Sequence, residues 1–249
     1  MEKLAINAQK NRRFGNNLLY YDTYIKSTIH LRKLFSILIL TFILTSCHNE
    51  KKLNGTWISS YKFSNNDSIK EYVVGDFSFN QLITFDNGTF NIKKFKYDSY
   101  ENEQIEKFEL KGNSFIIAGN KDFNSEIIDP LTKDSFVLKN FNQNRVYKRL
   151  VDSLKNKSTG LKLTGKKYVR KFRKWTDTIQ FINDSVYVSN SWKFGDSDHF
   201  MWERINHNGF DILFTENYAP FVLKKQIKNK IYVSVFGNKK EDYILKEIE

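Results

Sequence analysis

A single cysteine, Cys47, rules out any disulfide within the chain. Two prolines and 11 glycines in 249 residues rule out a collagen-like or low-complexity polymer. Alanine is scarce, and beyond residue 46 no stretch sustains a 3.6-residue apolar period, so amphipathic helices are not the building unit. The chain has no Gly-x-Ser-x-Gly elbow and neither of the phosphate-cradling glycine motifs. Serine-esterase, nucleotide-binding and dinucleotide-binding chemistry therefore have no foothold. What is abundant is aromatic: 22 Phe, 13 Tyr and 4 Trp, with many Ile and Val, a composition that favours strands.

The formal net charge is +12, from 40 basic and 28 acidic side chains. Residues 1–46 hold seven of the bases (Lys3, Lys10, Arg12, Arg13, Lys26, Arg32, Lys33) and two of the acids (Glu2, Asp22). From Cys47 onward 33 basic and 26 acidic residues remain, a net of +7, and they are interspersed, as in Lys62, Asp67, Lys70 and Glu71. That pattern reads as a solvated lysine-rich surface, with an anionic membrane or polysaccharide as the charged partner it would suit. A nucleic-acid partner is not expected of an exported chain.

Export is read from Leu34–Leu44, LFSILILTFIL, eleven uncharged residues after Arg32 and Lys33. At about 1.5 Å per residue, a helix of that length cannot cross a bilayer, whereas a basic flank and a short apolar run make a secretory signal. The run ends in Leu44-Thr45-Ser46-Cys47, and the polar His48-Asn49-Glu50-Lys51-Lys52 follows at once. This resembles a lipobox, in which small residues admit the lipoprotein signal peptidase and the cysteine thiol is acylated. The resemblance implies a bacterial lipoprotein lipidated at Cys47, held in the cell envelope and expected at the outer membrane. About thirty residues precede the run, which implies a long n-region or a true start downstream of Met1; residues 1–30 carry no fold argument.

The expected organisation is then 1–46 as N-terminal extension and signal, 47–52 as anchor and tether, and 53–150 as a first β domain. Residues 151–162 form a polar linker and 163–249 a second β domain. In the first domain Leu82–Phe85 and Thr89–Tyr97 flank Asp86-Asn87-Gly88, a strong hairpin signal. Phe90 and Ile92 share one face and Phe95 and Tyr97 the other, so a bulge near Lys93-Lys94 is expected to bring all four inward. Leu163-Thr164-Gly165 repeats Leu53-Asn54-Gly55, and Ile179–Ile182, Asn183-Asp184 and Val186–Val188 repeat the hairpin, matching Phe85 to Phe181 and Phe90 to Val186. Phe136–Lys139 (FVLK) echoes Phe221–Lys224, although Tyr243–Lys246 competes for the same alignment. The fold class is all-β: two antiparallel meander units, small barrels or sandwiches.

The Leu53-x-Gly55-x-Trp57 opening before an all-β meander resembles the lipocalin-like domains of bacterial lipoproteins. The resemblance covers Leu53–Leu150 well and Leu163–Glu249 less well, where Lys167 stands in the place of the tryptophan. It implies a barrel able to hold a lipid or another small molecule. Phe85, Phe90, Ile92, Phe108, Leu110, Phe115 and Phe136 are expected to fill the first interior, with Trp57 as its plug. The second half, with Trp192, Trp202 and His199, is the candidate ligand-binding unit, Trp202 lining a cavity or filling the core. A metal set of His199, Glu203 and His207 is conceivable but lacks a completing cluster. Carboxylate pairs such as Glu101/Glu103 and Glu241/Asp242 read as solvated loops. The expected function is a non-enzymatic envelope lipoprotein without cofactor or metal, binding a small apolar molecule or an envelope protein. The alternatives are an interaction module without a cavity, and a hydrolase with two facing acids.

Overall fold

Cross-strand pairing follows the turn chemistry closely. In the computed structural model, which describes residues 50–64, 80–97, 105–117, 126–139, 143–156, 160–172, 175–190, 198–216, 218–237 and 240–249, the chain forms two closed eight-stranded antiparallel barrels. The first comprises β1 (Gly55–Ser64), β2 (Gln81–Asp86), β3 (Thr89–Lys94), β4 (Ile105–Lys111), β5 (Ser114–Ile117), β6 (Glu126–Leu131), β7 (Ser135–Lys139) and β8 (Gln143–Arg149), closed by β8 on β1. The second comprises β9 (Lys167–Phe172), β10 (Trp175–Phe181), β11 (Val186–Ser189), β12 (His199–His207), β13 (Phe210–Thr215), β14 (Tyr218–Ile227), β15 (Lys230–Phe236) and β16 (Lys240–Ile248), closed by β16 on β9. Asn87-Gly88 and Asn208-Gly209 both take the left-handed backbone, φ 44° and 81°, 52° and 81°, that a two-residue hairpin turn requires. The signal expected over residues 1–46 and the expected lipidation site Cys47 lie outside the described residues.

The seven side chains expected inside the first barrel all belong to one cluster, with Trp57, Tyr147 and Ile83. Trp57 is fully buried and packs edge-on against Phe136 at 4.9 Å between ring centres; Phe136 in turn stacks on Tyr147 at 4.8 Å. The second interior is filled in the same way by Tyr168, Ile179, Phe181, Tyr187, Phe200, Trp202, Phe221 and their aliphatic neighbours.

A third cluster joins the barrels. Ile58, Leu82 and Phe95 from the first half meet Phe210, Ile212, Phe214, Val222 and Phe236 from the second. These are outward-facing residues of their strands, alternating with the interior set. Every residue of β13 is buried, because one face looks into its own barrel and the other onto its neighbour. Polar contacts finish the seam: Ser60 donates to the Gly237 carbonyl (2.8 Å), Asn80 to the Thr215 carbonyl (2.9 Å), and His207 meets Thr84 (2.7 Å). Glu50–Glu249 is accordingly one compact unit.

Three sequence expectations change. The β2–β3 register runs unbroken from Gln81↔Lys94 to Asp86↔Thr89, with no bulge at Lys93-Lys94. Strict alternation instead sends Phe95 outward, where it is fully buried against Phe214 in the seam, while Tyr97 is partly exposed. The Phe136–Lys139 echo also fails: it sets β7, the seventh strand of its barrel, against β14, the sixth of the other. The hairpin echo holds only up to the turn: Phe85 and Phe181 both point inward near the end of the second strand of a barrel, but Phe90 points inward where Val186 faces out and Tyr187 takes the interior place. The described start of the polar linker, finally, packs on the barrels: the 3-10 turn Asp152–Leu154 buries Leu154 in the seam, and the Asn156 amide donates to the Gly209 carbonyl (3.1 Å).

Candidate functional site

The sequence placed three ligand-binding candidates in the second barrel, and the strand phase separates them. Trp202 points inward on β12 and is 4% exposed, edge-on to Phe181 at 4.9 Å. Its indole N–H donates to the Asn183 carbonyl (3.0 Å), at the tight-turn end of the barrel. His199 lies at the opposite end of β12 and faces out, with Nδ1 2.8 Å from Asp198 and most of the ring exposed. Trp192 lies outside the described residues, as do Glu101 and Glu103.

His199, Glu203 and His207 share the outer face of β12, but two of them serve the seam: Glu203 accepts the Lys96 amide N–H (2.8 Å) and His207 contacts Thr84. Among the described residues no group of three metal-ligating side chains converges. Glu241 and Asp242 belong to β16 rather than to a loop. Asp242 accepts from Ser234 and from Lys224 (2.9 Å). Burial opposes ionisation there, yet those two donors and the charges of Lys224 and Lys240 hold the carboxyl below its ordinary value.

Sequence reading missed the polar layer inside the second barrel. Arg170 on β9 and Asp177 on β10 face inward and pair at 2.9 Å, with side chains 6% and 0% exposed. Ser189 donates to the other Asp177 oxygen (3.0 Å), Tyr218 donates to Asp177 (2.7 Å), and the two hydroxyls meet at 2.9 Å. The Arg170 guanidinium also lies over the Tyr218 ring at 4.6 Å. Burial, and then the Asp177 charge, push the Tyr218 phenol far above its ordinary range, so it stays a donor. The one available signal was period two: Arg170 falls in step with Tyr168, and Asp177 with Ile179 and Phe181. A charge at an inward position marks either a structural ion pair or a polar contact for a ligand.

The closed ends carry a second arginine chemistry. In the first barrel Arg149 lies over Trp57 at 4.0 Å and donates to the Asn54 and Lys52 carbonyls and to the Lys133 carbonyl (2.6 Å). In the second, Arg204 makes a two-pronged pair with fully buried Asp211 (both 2.7 Å) and donates to the Leu161 carbonyl. Each arginine ties the segment entering its barrel across the base. The phase of the two openings differs by one residue: Trp57 points inward two residues after Gly55, but Lys167 points outward and Tyr168 takes the interior place. Tyr168 is 1% exposed and its hydroxyl donates to the Lys162 carbonyl (3.4 Å).

No protein-family model, no curated protein and no solved structure matches the chain.

Proposed function

We propose that this chain is an exported, non-enzymatic lipoprotein, anchored in a bacterial envelope through acyl chains on Cys47, whose fused barrels act as a rigid interaction module for an envelope partner. The observation that carries the module reading is packing. An eight-stranded barrel has room for its own side chains or for one small ligand, and both interiors are taken up by large aromatic clusters. Welding the barrels through a third apolar cluster gives a scaffold that presents surfaces rather than a mobile pair of cups. The lipobox-like Leu44–Cys47 supports the anchor, and the outer membrane is the address such a protein would have.

A second reading, a carrier of a small molecule with an apolar body and a polar end, is favoured by the Arg170–Asp177–Ser189–Tyr218 layer, since carrier sites combine apolar walls with a few convergent polar groups. Titrating residues 50–249 with a fluorescent long-chain fatty acid separates the two. The module reading expects no saturable quenching of tryptophan emission. One-to-one saturable quenching, weakened at least tenfold in Tyr218→Phe while the fold survives, would instead establish the carrier.

A further inference from the structure

The outer wall of the second barrel holds a charge arrangement that neither barrel closure nor the seam uses. On β14–β16, Lys225, Tyr232 and Ile244 stand side by side in register, with the Lys225 ammonium 4.9 Å from the centre of the Tyr232 ring. The adjacent row runs Ile227, Lys230, Lys246, Val169 and Thr178 across five strands. Ile248, Lys167 and Gln180 make a third, and Lys171 extends the same face of β9. All of these alternate with inward residues such as Ile231, Val233, Leu245 and Tyr168, so they share the outer face. None of the positions named is acidic. Of the carboxylates at its borders, Asp242 pairs with Lys224 and Glu247 with Lys166, while Glu249 follows Ile248 at one corner.

Lys230 sits directly opposite Lys246, and like charges at such a pair destabilise a sheet. In a closed barrel there is no free edge for those lysines to protect. Ile227 and Ile244 are 46% and 41% exposed among them. Lysines alone would suit any polyanion, but a sugar polymer or a nucleic-acid backbone gives exposed isoleucines nothing to enter. We infer that this wall rests on an anionic phospholipid surface, its lysines at the headgroups and Ile227, Ile244 and Tyr232 at the acyl boundary. Neither Cys47 nor the proposed anchor takes part in this contact.

The test is sedimentation of residues 50–249, the compact unit, with vesicles of phosphatidylcholine alone or mixed with phosphatidylglycerol. Binding should require the anionic lipid and fade between low and 0.5 M salt. Lys230→Glu with Lys246→Glu should weaken it by at least tenfold, by roughly the attraction each lysine contributes near such a surface. The matched control, Lys107→Glu with Lys111→Glu on the first barrel, should stay within twofold. Ile244→Ser should weaken binding less than the double charge reversal. Failure to bind, equal binding to phosphatidylcholine alone, equal loss in the control, or capture by soluble dextran sulfate but not by anionic vesicles would each overturn the inference.

Discussion

Gly55 shows what the opening of the first barrel demands of one residue. Its backbone has φ +123°, and a Cβ there would stand 2.8 Å from the Arg149 guanidinium. The glycine leaves the space in which Arg149 lies over Trp57 and reaches the carbonyls of the entering segment. Gly55→Ala should therefore cost about 2–4 kcal/mol, combining backbone strain with displacement of the arginine. Chemical denaturation measures it, and a loss under about 0.5 kcal/mol would show that Arg149 is not held as described. Gly165 differs: with φ +76° it serves a turn, and open space surrounds its Cβ position. The Leu-x-Gly spelling was legible in the sequence, but the arginine that gives it meaning lies some ninety residues away and was not. The same holds for Asp177, which no local pattern ties to Tyr218. Asp177→Asn leaves the Arg170 charge buried without its counter-charge and should cost about 3–5 kcal/mol. Tyr218→Phe, which removes one donor and keeps the ion pair, should cost about 1–2 kcal/mol. Equal losses for the two variants would mean that the pair itself contributes nothing.

At the scale of elements, the hairpins were the most legible feature. Asn-Gly between alternating apolar residues fixes turn and register together, and Asn87-Gly88 and Asn208-Gly209 form as the residues require. The destination of the outward apolar residues was not readable. Period two places Phe95, Phe210, Ile212 and Phe214 opposite the interior residues of their hairpins, yet nothing local says that a second barrel will cover them. The run Phe210–Phe214, apolar but for Asp211, carried a hint, since a strand with apolar residues on both faces is buried on both. Phe214, fully buried between the barrels and edge-on to Phe95 at 6.3 Å, makes the consequence measurable. Phe214→Ala should cost about 3–5 kcal/mol. Because the seam joins both cores, circular dichroism and tryptophan emission should still report one coincident, earlier transition. Two transitions in the unmutated chain would mean that the seam is too weak to couple them.

For the whole molecule, the all-β class and two meander units followed from turn spacing and aromatic content, and the structure bears both out as closed barrels. Each barrel shuts one end with its own arginine, fills its interior with its own rings, and offers a face of its wall to the other. Such a body presents surface rather than an empty interior, which is what the proposed interaction module requires. The proposed export and lipidation rest on the stretch from Arg32 to Cys47 alone. The most direct test expresses the full-length chain in a bacterial host and recovers it from the membrane fraction for mass spectrometry of its amino-terminal peptide. The account predicts a mature chain that begins at Cys47 and carries diacylglycerol and amide-linked acyl mass, and a Cys47→Ser chain left as uncleaved precursor. A mature amino terminus at any other residue, or an unmodified Cys47 thiol in the membrane-bound protein, would contradict it.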